Sequence, residues 1–224
     1  MQQTIVIVAG GSGSRMGSQI PKQFLNVAGR PILMHTIEAF FHFNDQIHCI
    51  VVLPASQMEM WKGLCERFQF TLPHDLAQGG ENRFDSVKNG LALVKDNALV
   101  GIHDGVRPFV SADTLKRCYD GALQNGNAIP VLPLTESIRR VTERGNCAED
   151  RSAFVSVQTP QVFISQQLAK AYDVSYDPLF TDDASVVEHA GYAIHLVDGN
   201  AENIKITTPF DLKVAELLKV KIRQ

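Results

Sequence analysis

Long apolar runs are missing from the chain. Hydrophobic residues make up 45% of its 224 residues, enough for a sizeable core. No uninterrupted stretch reaches the ~20 residues that cross a bilayer. Nor does a basic region, an apolar segment and a cleavage site precede the first strand pattern at Thr4, so the expectation is a cytoplasmic protein. Cysteine is scarce. Cys49, Cys65, Cys118 and Cys147 form no C-x-x-C pair and none stands beside a His at ligand spacing. Reduced thiols are expected, and neither a disulfide framework nor a thiolate zinc site. An excess of one charge sign is missing too: 21 Lys and Arg against 24 Asp and Glu leave a net charge of -3. That balance gives no broad nucleic-acid surface, so any anion must be met by local placement of cations. Internal repeats, low-complexity segments and linkers are also lacking. The length suits one domain, residues 1–224, with at most an appendage.

What the chain does have is a glycine-rich loop directly after its first strand pattern. Val6-Ile7-Val8 runs into Ala9-Gly10-Gly11-Ser12-Gly13-Ser14-Arg15-Met16-Gly17, and Pro21-Lys22-Gln23 follow. Glycine turns after an apolar strand let backbone N–H groups approach an anion. Arg15 and Lys22 add two cations, as a polyphosphate that gains charge during reaction requires. Two common nucleotide fingerprints do not fit. The P-loop pattern G-x-x-x-x-G-K-[ST] is absent. Gly11, Gly13 and Gly17 are spaced G-x-G-x-x-x-G, one residue too long for a dinucleotide loop. The second strand ends at Leu53-Pro54, without the acid that would take a ribose.

Strand and helix patterns alternate through the first half. Strands are expected at Thr4–Ala9, His48–Leu53, Thr71–Leu76 and Leu99–His103. Helices are expected from Pro31 through Phe41, over Met58–Phe68 and Arg83–Val94, and from an N-cap at Ser111 to about Gln124. The fold class is therefore α/β, Rossmann-like, with a mainly parallel twisted sheet and helices on both faces. Ligands in such folds sit at the carboxyl ends of strands. The loops Gly10–Gly17, Gln78–Arg83 and Asp104–Pro108 should converge there. After a strand at Ala128–Pro133 the alternation breaks. Ser137–Val141 and Ala153–Val157 alternate around a turn at Arg144-Gly145-Asn146, which predicts a protruding β-hairpin arm over residues 136–157. A lone hairpin is marginal in water, so the arm is expected to dimerise with a second copy of the chain. Helices at Ser165–Tyr172 and Asp182–Ala190, strands at Ala193–Val197 and Ile204–Ile206, and a last helix capped by Thr208 complete the expectation.

Taken in order, the loop with Pro21-Lys22-Gln23-Phe24, Gly79-Gly80-Glu81-Asn82-Arg83 with Asp85-Ser86-Val87, His103-Asp104-Gly105-Val106-Arg107-Pro108, Gln158-Thr159-Pro160-Gln161, Thr181-Asp182-Asp183-Ala184-Ser185 and Asn203-Ile204-Lys205-Ile206-Thr207 resemble the sugar- and polyol-phosphate cytidylyltransferases over nearly the whole length. Within them the chain looks most like the methylerythritol-phosphate branch; the ribitol 5-phosphate branch is the alternative. The resemblance implies transfer of a cytidylyl group from CTP to a polyol phosphate with release of pyrophosphate. It implies Arg15 and Lys22 as catalytic residues. It implies CTP binding by Ala9, Gly10, Gly11, Gly13, Gly80, Arg83, Ser86, Asp104 and Lys205. The acceptor would be held by Asp104, Arg107, Ser137, Arg151, Thr159, Thr181 and Lys205, with Ser137 and Arg151 reaching over from the arm of a partner subunit. No D-x-D pair stands ready for a metal, so Mg²⁺ would be held mainly by the CTP phosphates. Two other classes fit less well. A non-catalytic nucleotide-binding domain should have lost Arg15 and Lys22 first, and an NAD-dependent oxidoreductase lacks its fingerprint.

Overall fold

The computed structural model describes residues 1–10 and 20–222. Its centre is β1 (Gln2–Val8), flanked by β4 (His48–Leu53) on one side and β6 (Ala98–Asp104) on the other, all parallel. β5 (Asp75–Gln78) extends the parallel run beyond β4. On the far side of β6 the direction reverses. β11 (Gln161–Ile164) pairs antiparallel with β6 and with β7 (Asn127–Pro133), and β12 (Leu196–Asp198) pairs parallel with β7. The result is an α/β fold with a central, mostly parallel sheet.

Continuous apolar runs form these strands because both sheet faces are covered. Side chains alternate between two cores. Ile5, Ile7, Cys49, Val51 and Leu53 face α1 (Ile32–Phe43), α2 (Ala55–Arg67) and α4 (Ala112–Asn125), where Met34, Phe40, Trp61 and Tyr119 are fully or almost fully buried. Val6, Ile50, Val52 and Val100 face α3 (Arg83–Leu91), α5 (Ser165–Ala171) and α6 (Asp183–His189). A smaller core of Val27, Ile32, Val106, Phe109, Ile206 and Ala215 seats α7 (Pro209–Ile222) against the short ribbon of β2 (Asn26–Val27) and β3 (Arg30–Pro31). Ser111 caps α4 as expected, its Oγ accepting from the Thr114 N–H at 3.1 Å. No helix among the described residues is long and apolar enough to cross a membrane.

Several expectations need correction. The arm is a ribbon of β8 (Ile138–Thr142) and β9 (Gly145–Glu149), which pair only with each other. Its expected second strand instead forms β10 (Val155–Val157), which joins the main sheet antiparallel to β7. Alternation there marks a half-covered sheet edge, and periodicity cannot name a strand's partner. β11 escaped notice because it is only four residues long and runs straight into α5. The strand expected at Thr71–Leu76 lies at Asp75–Gln78, that expected at Ala193–Val197 lies at Leu196–Asp198, and α2 begins earlier, directly after Pro54. Ile204–Ile206 is no strand: Ile206 N–H donates to Val106 O at 3.0 Å, one bridge without a ladder.

α3 lies so close to the sheet that Gly90 has no room for a β-carbon, which would sit 2.6 Å from Val6 Cγ1 and 2.9 Å from Val52 Cγ2. Alanine in mid-helix normally gains ~1 kcal/mol over glycine. Here overpacking reverses the sign, and Gly90→Ala should lose about 1 kcal/mol or more in a urea titration. A raised midpoint would contradict this packing.

Candidate active site

The carboxyl ends of the parallel strands are stitched together by backbone bonds. Ala9 N–H donates to Val52 O at 2.9 Å, Gly79 N–H to Leu53 O at 2.8 Å and Gly105 N–H to Val8 O at 2.9 Å. Ala9 and Gly10 after β1 and the loops after β5 and β6 therefore open onto one crevice. A cavity of about 260 Å³ there is lined by Ala9, Gly10, Lys22, Gly80, Arg83, Ser86, Asp104 and Lys205 among others. A second cavity of about 320 Å³ is lined by Arg107, Thr159 and Thr181 and shares Arg83, Asp104 and Lys205 with the first. The crevice is thus two chambers with a common wall. Gly11, Gly13 and Arg15 lie outside the described residues.

The first chamber is shaped around Gly80. A β-carbon on Gly80 would lie 2.3 Å from Asp85 Cβ, so only glycine permits this turn. Ser86 Oγ accepts from Gly80 N–H at 3.1 Å and donates to Asn82 O at 2.8 Å. Asn82 caps α3 through the Asp85 N–H at 2.9 Å. Ser86 thus builds the turn as well as lining the chamber. On the opposite wall, Lys22 opens a short 3-10 turn, Lys22–Phe24. The fully buried Gln23 anchors that turn, its Nε2 donating to Ala9 O at 2.6 Å.

The common wall is made of three charged residues, Arg83, Asp104 and Lys205. Arg83 grips Asp183 with two parallel bonds, Nη1 to Oδ1 at 2.9 Å and Nη2 to Oδ2 at 2.6 Å, and Tyr172 OH donates to Asp183 Oδ1 at 2.7 Å. Burial opposes the guanidinium charge, yet Asp183 raises the Arg83 pKa well above the ordinary arginine value. Asp104 Oδ2 takes Lys205 Nζ at 3.0 Å and Arg107 Nε at 3.1 Å, and Arg107 Nη1 also donates to Asn203 O at 2.8 Å. Burial alone would raise the Asp104 pKa, but Lys205, Arg83 and Arg107 hold it well below the usual carboxylate range. Behind this wall, Thr159 Oγ1 accepts from the Asp104 N–H at 3.1 Å and meets His103 Nδ1 at 3.0 Å.

The structure gathers every described site residue of the core into the crevice. Ser137 and Arg151 are different: both are exposed beside the β8–β9 ribbon, Arg151 donates to Thr135 O, and neither lines either chamber of its own chain. Sequence reasoning missed Asp183, Tyr172 and Gln23 as members of the site. Asp182 and Asp183 together read as a helix N-terminus, and Asp182 alone does the capping, accepting from Ser185 N–H at 2.9 Å. A second acid where one suffices was the available signal. No cluster of three or more His, Cys, Asp or Glu side chains among the described residues is arranged to hold a metal ion.

The model of the family described as 2-C-methyl-D-erythritol 4-phosphate cytidylyltransferase (IspD) matches residues 3–220. A protein of that description from Phocaeicola vulgatus is 56% identical over 218 residues, covering 97% of this chain and 100% of the relative. One from Bacteroides thetaiotaomicron is 53% identical with the same coverage. Among solved structures, the 2-C-methyl-D-erythritol 4-phosphate cytidylyltransferase from Thermus thermophilus superposes with a TM-score of 0.79 at 32% identity, covering 97% of this chain and 98% of that one.

His103 gives a pH-dependent consequence. It is fully buried, and burial lowers its pKa from 6.5 to about 4. Between those values the unfolded chain binds more protons than the folded one, so stability rises with pH there. It is present above 6.5, lost as pH falls towards 4, and unchanged by this group below that. The loss should be about 3 kcal/mol across the window. Urea titrations at pH 7, 5.5 and 4 should give a shallower pH slope for His103→Asn than for the native protein; parallel slopes would contradict a buried neutral imidazole.

Proposed function

The chain belongs to the 2-C-methyl-D-erythritol 4-phosphate cytidylyltransferase family, and on that premise we propose how its two chambers divide the reaction. The enzyme transfers a cytidylyl group from CTP to 2-C-methyl-D-erythritol 4-phosphate, giving 4-diphosphocytidyl-2-C-methyl-D-erythritol and pyrophosphate. The observation that carries the division is the wall of Arg83, Asp104 and Lys205 common to both chambers. The chamber with Gly10, Lys22 and Gly80 takes CTP; the chamber with Arg107, Thr159 and Thr181 takes the polyol phosphate.

The attacking atom is a phosphate oxygen of the acceptor. A phosphomonoester has its second pKa near ~6 and is largely dianionic at neutral pH, so no general base is needed. That oxygen bonds to the α-phosphorus of CTP as the bond to the bridging oxygen breaks, and the electron pair leaves with pyrophosphate. The barrier is the approach of two anions and the charge gathered on the phosphates, and positioned cations lower it. Lys22 and Arg15 serve the triphosphate and the leaving group; Arg107 and Lys205 hold the acceptor. Asp104 keeps Lys205 and Arg107 in register and in this reading accepts from a polyol hydroxyl. Gly10, with Gly11 and Gly13, offers backbone N–H groups to the phosphates. The small first chamber suits a pyrimidine, with Ala9, Gly80, Arg83 and Ser86 around it.

Glu81 and Asp104 are the carboxylates that line the CTP chamber among the described residues. Mg²⁺ takes octahedral oxygen ligands and commonly rests on one or two carboxylates plus substrate phosphates. The donor set fits a cation held mainly by the triphosphate, where it would neutralise phosphate charge.

The arm makes a homodimer in this reading. Val141 on the ribbon is 81% exposed, and Phe154, Val155 and Val157 beside it are each more than 40% exposed. A second copy would cover them and bring Ser137 and Arg151 to the partner's acceptor chamber. Four free cysteines fit a cytoplasmic setting.

A substrate panel with CTP tests the activity: pyrophosphate release with methylerythritol phosphate is expected, and turnover of ribitol 5-phosphate alone would overturn the reading. Lys22→Ala should lower kcat about 10²-fold or more with an unchanged urea midpoint; near-full turnover would remove Lys22 from the chemistry. Arg151→Ala should raise KM for the acceptor more than for CTP. Mixing Lys22→Ala and Arg151→Ala proteins should restore activity, because each heterodimer then contains one intact composite site. No recovery on mixing would show that each chain completes its own site.

A further inference from the structure

We propose that His103 is a positioning residue for the acceptor chamber, acting through the hydroxyl of Thr159 and the carbonyl of Arg107. The inference rests on the reading that this chamber takes the polyol phosphate. His103 is the penultimate residue of β6, fully buried behind the Asp104–Arg107 loop, and reaches no substrate itself.

The hydrogen-bond roles follow from the partners. His103 Nε2 meets Arg107 O at 3.0 Å. A carbonyl oxygen can only accept, so Nε2 carries the proton. In the neutral ring Nδ1 is then an acceptor, and the Thr159 hydroxyl must donate to it across 3.0 Å. The Thr159 oxygen in turn accepts from the Asp104 N–H at 3.1 Å. The chain of bonds therefore runs from Asp104 through Thr159 and His103 back to Arg107. It spans the two residues that grip Lys205 and the acceptor. Phe40 meets the imidazole edge to face, with centroids 4.9 Å apart at 76°, which fixes the ring plane.

The same loop is held elsewhere by backbone and by Thr36. Gly105 N–H donates to Val8 O, Thr36 Oγ1 donates to Gly105 O at 3.1 Å, and Ile206 N–H donates to Val106 O. The Asp104 N–H and the Arg107 carbonyl, at the loop's two ends, are the groups held through His103. Loss of His103 should therefore loosen chiefly the aim of Arg107, whose carbonyl it holds directly, without unseating the loop or freeing the Asp104 carboxylate from Lys205. The Thr159 proton is committed to the imidazole, so Thr159 serves the substrate through this relay and not as a hydrogen-bond donor to it.

Two variants divide the relay. His103→Asn keeps an acceptor near the Nδ1 position and loses the donor to Arg107; His103→Gln keeps a donor near Nε2 and loses the acceptor for Thr159. Each should raise KM for methylerythritol phosphate about tenfold, the usual size for loss of one buried hydrogen bond, with KM for CTP and kcat within about twofold. In a double-mutant cycle, His103→Gln should add little to Thr159→Val, because both cut the same bond, and Thr159→Ser should restore most of the loss. Multiplicative effects in the cycle, or equal rises in both KM values, would overturn the proposal. Should a variant fail to fold, ¹⁵N NMR of the native imidazole decides: the Nε2–H tautomer is expected, and an Nδ1–H tautomer or a charged ring at pH 7 would overturn it. Native turnover of the polyol phosphate, run alongside, tests the functional reading separately.

Discussion

Asp104 stands at the carboxyl end of β6, beside β1, with Lys205 and Arg107 on one oxygen and the guanidinium of Arg83 within electrostatic reach. A carboxylate in this position does two things at once. It gathers cations that would otherwise repel one another, and it marks the boundary between two chambers. A buried charge is tolerated only with such partners. Arg107 follows three residues later, but Arg83 and Lys205 come from distant parts of the chain, so the site exists only when the whole fold is in place.

The scaffold supplies this convergence through strand order. β1 lies between β4 and β6, and its backbone end is pinned to both, which sets Ala9 and Gly10 in the same cavity wall as Asp104. α3 begins at the rim of the first chamber and α6 at the rim of the second, the chambers proposed for CTP and for the acceptor. Arg83, the first residue of α3, and Asp183, the first of α6, are joined by a bidentate ion pair across 100 residues of sequence. Removing Arg83 would leave the fully buried Asp183 carboxylate with the Tyr172 hydroxyl as its remaining side-chain partner, a loss on the order of 3 kcal/mol for a buried charge, whereas Arg83, partly exposed to the chambers, would lose less from removal of Asp183. The pair ties the two chambers together mechanically as Asp104 ties them electrostatically.

The legible part of the fold was the part governed by local pattern. Apolar runs named β1, β4 and β6; the stripe from Ile32 to Phe41 named α1; Ser111 named a cap; and glycines after strands named the loops that meet at Gly10, Gly80 and Asp104. Non-local pairing was not legible. Val155–Val157 alternates whether it pairs within an arm or along β7, and the four residues of β11 carry too little pattern to show a strand that reverses the sheet direction. The site follows the same division. Lys22, Gly80, Asp104 and Lys205 stood in motifs. The Arg83–Asp183 pair and the His103 relay depend on neighbours 100 and 56 residues away, and single-residue chemistry does not announce such partners. The hydroxyls of Ser86 and Thr159 stood in motifs as ligand contacts, and the bonds they make to the Gly80 turn and to Asp104 were not legible there.

In the proposed division of the crevice, one carboxylate, Asp104, organises both chambers. Steady-state kinetics of Asp104→Asn, with CTP and methylerythritol phosphate each varied at fixed levels of the other, test it most directly. The side chain keeps its shape and loses the charge that holds Lys205 and Arg107. The account predicts higher KM values for both substrates and a lower kcat, with a fold that still unfolds cooperatively in urea. A rise in only one KM, or native kinetics, would contradict it.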